Sequence, residues 1–353
     1  MKYAVVDLSN LFHRARHAAM TDTRGKVGMA LLILFRSLRT ITRTLGTDHI
    51  VFAVDQSSWR YGVYPGYKAR RKLTRIEAPP TIQAEDQMFF GALQELVTYL
   101  TDSTRCTVLC APDIEGDDFV ARWVWQHPDD DHVIVSGDSD FVQLLGPHIR
   151  IYDAINQRLI GPEAITDEKG RTLEFSVNPK DGKIKVGKPM RDFIPETAWW
   201  RKALFIKLIR GDTGDSIFAA FPGVRYEGKT CSIRAAWEDR ADQGYDWNNL
   251  MQQTWDKLVG VAPTGERLVE TVLVQDQFRQ NERLIDLTQQ PPAIKAQMDA
   301  SIGAAITKPA PMQIGIEFLR FCKRQDLPSL MKEAEDHVGY LNAGYDVSVL
   351  ATA

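Results

Sequence analysis

Long hydrophobic runs and paired cysteines are missing from this sequence of 353 residues. The apolar stretch Met29–Phe35 is far too short to cross a membrane, so no membrane span is expected. The four cysteines show no CxxC spacing, which argues against a zinc site and favours reduced thiols. The chain enters a predicted strand at once, so we expect no secretory signal and a cytoplasmic location.

Histidine-based chemistry is also missing. The seven histidines form no ligand-like spacing, and no Ser-His-Asp or Cys-His arrangement stands out. His13 and His17 are four residues apart, but Arg14 and Arg16 lie between them, which favours a basic face over a metal site. Any catalytic chemistry must therefore rest on other side chains.

Acidic residues follow several short apolar runs, as in Tyr3-Ala-Val-Val-Asp7 and Ile50-Val-Phe-Ala-Val-Asp55. Such runs are typical of buried parallel strands, whose carboxyl ends meet at one edge of a sheet. Crowded carboxylates are costly without a cation, and Mg²⁺ prefers oxygen ligands. The pattern predicts a site for more than one metal ion. The candidate ligands are Asp7, Asp55, Glu115, Asp117, Asp118, Asp138, Asp140, Asp212 and Asp215.

Each of these motifs also has an ordinary structural explanation. Asp138 fits a helix N-cap, and the acids of Glu115–Asp118 fit the first turn of a helix, where the helix dipole favours them. Asp212 to Asp215 fits a solvated turn, and a single Asp at a strand end is usually a cap. It is the combination of the motifs that favours a metal site.

The net charge of −3 conceals a basic segment. Without the nine candidate ligands, 43 basic residues remain against 37 acidic ones. Six cations and no acid lie between Gln56 and Ile76, with Tyr61, Tyr64 and Tyr67 among them. A solvated loop is the alternative, but a basic cluster beside an acidic site favours a phosphate clamp. The predicted nucleic-acid contacts in this segment are Arg60, Lys68, Arg70, Arg71, Lys72 and Arg75, with Lys68 and Arg71 as the clamp.

Strands and helices alternate over residues 1 to about 153, which predicts an α/β fold with a parallel sheet. Residues 154–198 are predicted to be an insertion with a hairpin around Asp181-Gly182. Residues 218–353 are predicted to be mostly helical. We therefore predict a catalytic domain over 1–217 and a smaller helical C-terminal domain over 218–353.

In their order along the chain, these motifs resemble the 5′-nuclease (flap endonuclease) family. The resemblance implies a PIN-like domain with a helical arch at about 56–85, and two Mg²⁺ ions that Mn²⁺ can replace. It implies cleavage of 5′ flaps and digestion in the 5′→3′ direction. It places Glu115, Asp117, Asp138 and Asp140 centrally, Asp7 and Asp55 toward one ion, and Asp212 and Asp215 toward the other. The matching motifs are Asp7 with Asn10, Asp55, Tyr67-Lys68-x-x-Arg71, Glu115-Gly-Asp117-Asp118, Ser136-Gly-Asp138-Ser-Asp140 and Gly211-Asp212-x-x-Asp215-Ser-Ile217.

Beyond residue 217, Asn281–Thr288 followed by Pro291-Pro292 is similar to the T-even phage ribonuclease H branch of the family. That similarity implies action on RNA–DNA hybrids as well as DNA, removal of RNA primers in phage replication, a phage single-stranded DNA-binding protein as partner, and a monomer in the host cytoplasm. The family's helix-hairpin-helix is altered near 216–236, because Gly223-Val-Arg225 and Gly228-Lys-Thr230 stand two residues further apart. This departure puts the family's K⁺ ion and its duplex grip in question, while Lys229 is predicted to be a DNA contact.

Two other functions compete with this interpretation. A PIN-type ribonuclease acting on single-stranded RNA shares the acidic core but usually lacks the basic arch and the long C-terminal region. A non-catalytic DNA-junction binding protein is the second competitor, and the presence of every acidic position argues against it.

Overall fold

The computed structural model describes residues 1–18, 23–229, 231–243, 248–261 and 267–345. Its main sheet begins with five parallel strands in the order β3-β2-β1-β4-β5, which confirms the predicted α/β parallel sheet. Along β1, Ala4 and Val6 face one hydrophobic core, whereas Tyr3 and Val5 face another, so both faces of the sheet are covered. The strands are β1 (Lys2–Asp7), β2 (His49–Ala53), β3 (Thr107–Leu109), β4 (Asp131–Val135) and β5 (Ile149–Asp153).

Six helices accompany these strands in the described part of the N-terminal half. The predicted arch contains two short helices and the start of a long one, which begins at Pro80, where the fixed φ of proline suits a first helical turn. The segment after Asp138 is a 3₁₀ helix, Ser139–Leu144. The helices are α1 (Leu8–Ala18), α2 (Thr23–Leu45), α3 (Arg60–Val63), α4 (Ala69–Ile76), α5 (Pro80–Ser103) and α6 (Gly116–Gln126).

The predicted insertion at 154–198 continues the main sheet with antiparallel strands. Its last two strands form the predicted hairpin, and Gly182, at φ 74°, occupies a backbone conformation that favours glycine. The strands are β6 (Arg158–Ile160), β7 (Ile165–Thr166), β8 (Thr172–Val177) and β9 (Ile184–Pro189), and α7 (Trp199–Arg210) follows them.

The C-terminal region is mainly helical, as predicted, but it also contains an antiparallel ribbon that the sequence analysis did not anticipate. The two ribbon strands pair with each other in antiparallel register, a relation that helical periodicity does not reveal. The elements are α8 (Ile233–Gln243), β10 (Thr254–Val261), β11 (Arg267–Leu273), α9 (Val274–Ile285), α10 (Pro292–Ile306), α11 (Ile314–Arg324), α12 (Pro328–Lys332) and α13 (Ala334–Leu341).

The last helices pack into the N-terminal half. Phe318 and Phe321 of α11 contact Phe35 of α2, and the Phe321 ring stacks on Tyr99 of α5 at 4.3 Å between ring centroids. On the other face of the sheet, α10 packs on α6 and β3. The division into domains at residue 217 stays a prediction, because the hydrophobic cores contain residues from both sides of it. No helix in the described ranges is both long and apolar enough to cross a membrane.

Phe318→Ala should therefore destabilise the whole N-terminal core. Phe318 is fully buried, and truncating such a ring costs about 3–5 kcal/mol through lost burial and the cavity left behind. Urea unfolding followed by far-UV circular dichroism measures the loss. Met312→Ala is the control because Met312 is 85% exposed. A loss below about 1 kcal/mol for Phe318→Ala would contradict this packing.

Candidate metal centre and the basic segment beside it

Backbone and side-chain donors hold the carboxylates of Asp7 and Asp55 at the carboxyl edge of the sheet. Asp7 ends β1, and its two oxygens accept hydrogen bonds from the Asn10 backbone N–H (3.0 Å) and the Ser136 hydroxyl (3.1 Å). Asp55 follows β2, and its Oδ1 accepts from the Gly116 N–H at 2.7 Å. The ends of β1, β2 and β4 and the start of α6 are therefore linked at one edge.

Burial disfavours the charged form of several carboxyls at this edge. Burial raises the pKa of the Asp7 carboxyl to about 7, and the charges of Asp55 and Asp138 add to the shift. Burial also raises the pKa of Asp117 well above its ordinary value, and it raises that of Asp215. A bound cation would relieve both the desolvation and the repulsion. An all-oxygen donor set of this kind fits a hard divalent cation.

Three carboxylates at the start of α6 form the tightest acidic group in the described ranges. Glu115, Asp117 and Asp118 each offer one oxygen, and these oxygens lie within 4.8 Å of one another. Asp118, however, is fully buried, and both its oxygens already accept hydrogen bonds, from Arg60 (2.8 and 2.9 Å) and the Trp59 indole N–H (3.0 Å). The prediction that Asp118 binds metal is therefore corrected, because its oxygens serve an internal ion pair.

Arg60 is the second correction. The sequence suggests a nucleic-acid contact, but the side chain is 1% exposed and cannot reach a phosphate. Besides Asp118, its guanidinium donates to Glu115 Oε2 at 2.7 Å and to the backbone oxygen of Leu284 at 2.8 Å. Gln290 also donates to Asp118 at 3.2 Å, so this buried network connects the basic segment, α6 and the C-terminal region.

The base of the arch, formed by Tyr67, Lys68 and Arg71, contacts the acidic residues directly. Lys68 precedes α4 in the left-handed conformation and forms an ion pair with Glu115, while Arg71 pairs with Asp215 at 2.9 Å. The Tyr67 hydroxyl lies 3.2 Å from Glu115 Oε2 and 3.4 Å from Asp215 Oδ2. Tyr67 thus contacts both acidic groups, and the only sign of this role in the sequence is its place in the Tyr-Lys-x-x-Arg motif.

Lys207 of α7 is a site residue that the sequence analysis missed. It forms ion pairs with Asp140 and, at 2.9 Å, with Asp212. Burial lowers the pKa of Lys207, but the two carboxylates outweigh burial and raise it. Burial raises the pKa of Asp212, but Lys207 outweighs burial and holds it below its usual range. The available signal was its position on the helix that leads into the motif beginning at Asp212. Asp138 also caps the 3₁₀ helix by accepting from the Asp140 N–H at 3.0 Å, so the structural explanation of this motif holds as well.

The remaining predicted nucleic-acid contacts lie on the surface. Arg70, Lys72 and Arg75 of α4 are exposed, and within the part of the chain described here their side chains have no ion-pair partner. Lys229 is exposed in the run of turns before α8, and Thr230 lies outside the described residues. The spacing Gly223–Thr230 also fits a phosphate-binding P-loop, but it follows turns and not a strand, so the context needed for that motif is missing among the described residues.

Asp117→Asn and Asp118→Asn should shift metal-free stability in opposite directions. Asp118→Asn removes one partner of a buried ion pair and should cost about 3–5 kcal/mol. Asp117→Asn should stabilise the fold, because the raised pKa means that the folded state disfavours the charged carboxylate. Urea unfolding in EDTA at neutral pH measures both. Equal destabilisation by the two variants would contradict the separate roles.

The N-terminal half of the chain is similar in sequence to known 5′-3′ exonuclease domains, which is consistent with an acidic metal site. Residues 2–170 match the family model of the 5′-3′ exonuclease N-terminal resolvase-like domain. The chain is 30% identical over 174 residues to flap endonuclease Xni of Edwardsiella ictaluri and 28% identical over 183 residues to DNA polymerase I of Rhizobium leguminosarum. Each match covers 47% of this chain, with 60% of the first relative and 16% of the second.

Solved structures share the fold over most of the chain. A bacteriophage T5 flap endonuclease in a pseudo-enzyme-product complex with DNA and metal ions aligns with a TM-score of 0.51 and 14% identity, over 92% of this chain and 100% of that one. The T5 5′-exonuclease with bound divalent metal ions (zinc) aligns with a TM-score of 0.53 and 15% identity, over 92% and 98%. Residues 2–170, just under half of the chain, therefore match the 5′-3′ exonuclease N-terminal family, and the T5 structures show that the fold is shared over most of the chain.

Proposed function

We propose that the protein is a divalent-metal-dependent phosphodiesterase that acts at 5′ ends, as a 5′→3′ exonuclease and a 5′-flap endonuclease on DNA duplexes and RNA–DNA hybrids. The observation that carries the proposal is the direct contact between the basic arch and the acidic edge. Lys68 forms an ion pair with Glu115, and Arg71 forms one with Asp215. Two Mg²⁺ ions would be held by Asp7, Asp55, Glu115, Asp117, Asp138, Asp140, Asp212 and Asp215.

Bound metal would supply an activated water and charge stabilisation for the leaving oxygen. The protein's own part is to bring the phosphate to the acidic edge and to stabilise charge there. Lys68, Arg71 and Lys207 each lie against a carboxylate, within reach of the same edge. Their positive charge would be available to the phosphate once the carboxylates are otherwise neutralised, which is how fixed cations stabilise developing negative charge.

The arch would guide the strand to this edge. The exposed side chains of Arg70, Lys72 and Arg75 lie on α4, which follows Lys68 directly, so they form a basic path to the clamp. Such contacts supply affinity without sequence preference. The names of the relatives support this substrate class, because one is a flap endonuclease and another was solved with DNA and metal ions.

We extend the proposal to the biological role: removal of RNA primers during phage DNA replication, by a monomer in the cytoplasm that docks to a phage single-stranded DNA-binding protein. The support is the similarity of Asn281–Thr288 to the phage ribonuclease H branch. Part of that motif has a structural use here, because the Asn281 amide donates to the backbone oxygens of Leu208 (2.8 Å) and Phe218 (2.9 Å) and so holds α9 against the loop that carries Asp212 and Asp215.

Asp140→Asn should lower the cleavage rate about a thousandfold while leaving DNA binding nearly unchanged, because several kcal/mol of metal-dependent stabilisation is lost. The substrates are a 5′-flap duplex, an RNA–DNA hybrid and single-stranded RNA, each with Mg²⁺ or EDTA. Asp192→Asn is the control, since Asp192 is an exposed acid. Cleavage of single-stranded RNA alone would favour the PIN-type ribonuclease, and binding without any cleavage would favour the junction-binding protein.

Lys68→Ala should lower kcat about a hundredfold with little change in Kd, because its charge acts where negative charge develops. Arg75→Ala should instead weaken binding and reduce the slope of log K against log salt by about 0.7, as for one phosphate contact on a single strand. Single-turnover cleavage and anisotropy titrations at several salt concentrations separate the two effects. Unchanged single-turnover cleavage by Lys68→Ala would make Lys68 a tether without a catalytic role.

A further inference from the structure

A cavity of about 370 Å³ opens beside Asp138, between the carboxyl ends of β4 and β5 and the β8–β9 hairpin. Its volume lies within the range of small-ligand sites. The hairpin that forms one wall belongs to the segment 154–198, for which the family resemblance assigns no role. Five aliphatic side chains line the cavity: Val142, Ile151, Ile160, Ile184 and Val186.

Two cations line the cavity, Arg158 and Lys183, together with the carboxylates of Asp138 and Asp153. In the described ranges neither basic side chain has a hydrogen-bond or ion-pair partner. Asp153 lies opposite Arg158 in the β5–β6 register, but its oxygens accept from the Ile155 N–H (3.0 Å) and the Asn156 side chain (2.6 Å). Asp153 is held by its own turn and forms no ion pair with Arg158, so the N–H donors of Arg158 remain available to a ligand.

Two more polar groups lie at the wall nearest the metal centre. Asn10 lines the cavity, and its side-chain oxygen is buried without a hydrogen-bond partner in the described structure. Such an acceptor is costly unless a ligand or water satisfies it. Arg14 packs against Gly137 so closely that a Cβ there would lie 1.7 Å from Arg14 Nη2. Glycine at this position therefore lets a third cation, the Arg14 guanidinium, lie beside the cavity.

We propose that this cavity, the nucleotide cavity, binds one nucleotide of the cleaved strand next to the scissile phosphate. An apolar lining suits the face of a base, and unpaired cations suit a phosphate. Asn10 Oδ1 would accept from a ligand donor such as an exocyclic amine. The proposal rests on the proposed function, because it needs the strand to be delivered to the acidic edge, and it gives the β8–β9 hairpin a role in holding substrate.

The test uses a 5′-flap duplex in which a single uncharged methylphosphonate linkage is moved stepwise past the scissile phosphate. Anisotropy in EDTA gives Kd for the wild type and for Arg158→Ala and Lys183→Ala. We expect one position to weaken wild-type binding about tenfold, the worth of a charge-assisted contact. Each variant should bind the natural substrate about tenfold more weakly and lose sensitivity at that position, because the two changes remove the same contact.

Lys185→Ala is the matched control, because Lys185 lies on the same hairpin but lines a different depression, beside Glu174 and Phe193. It should keep the wild-type pattern, and thermal unfolding should show that all three variants fold. The proposal would be overturned if the loss of affinity from Arg158→Ala or Lys183→Ala added to the loss from the methylphosphonate. It would also be overturned if every variant showed the wild-type dependence of Kd on methylphosphonate position. So would tight binding of free thymidine 5′-monophosphate that excludes the flap substrate, because the cavity would then serve a free nucleotide. Wild-type cleavage with Mg²⁺ is measured alongside: its absence defeats the proposed function, whereas normal cleavage with unaltered patterns defeats the nucleotide cavity alone.

Discussion

Carboxylates gathered at the end of a parallel sheet repel one another, and this repulsion determines where the neighbouring elements place their cations. Burial of Asp7 and Asp117 disfavours their charged forms, so the surrounding elements must provide positive charge. Three cations from two parts of the chain do so: Arg60 and Lys68 in the basic segment lie against the acids of α6, and Lys207 of α7 lies between Asp140 and Asp212. These ion pairs therefore hold Lys68, at the base of the arch, and α7 in place beside the acidic residues.

Two adjacent acids on α6, Asp117 and Asp118, differ in how far their charge is compensated. Asp118 has its oxygens filled by Arg60 and Trp59 and helps to hold the arch base and the C-terminal region together. Asp117 has no comparable set of donors, and its pKa is raised. One acid therefore contributes stability to the fold, whereas its neighbour costs stability. That cost is expected of a site organised for a cation.

The sequence was sufficient for the features that local pattern controls. Apolar runs ending in acids predicted the parallel strands and the sheet edge, and the order of motifs predicted the family. It failed where position depends on distant parts of the chain. Arg60 is one of six cations in a row, and nothing local says that it points inward, because its partners include the backbone of Leu284. Lys207 and the β10–β11 ribbon were missed for the same reason.

The packing of α11 and α13 has a consequence for how the protein is made. Phe318 and Phe321 of α11 pack their rings against aromatic residues of α2 and α5. His49, at the start of β2, forms a 2.8 Å hydrogen bond with the backbone oxygen of Ala343. Contacts this distant in sequence form late and slow folding. A chain emerging from the ribosome cannot complete its first core until α11 and α13 have been synthesised, so the sheet that carries the acidic edge lacks its full support until then. Chains that stop before α11 would then carry the acidic residues without the packing that holds their sheet in place.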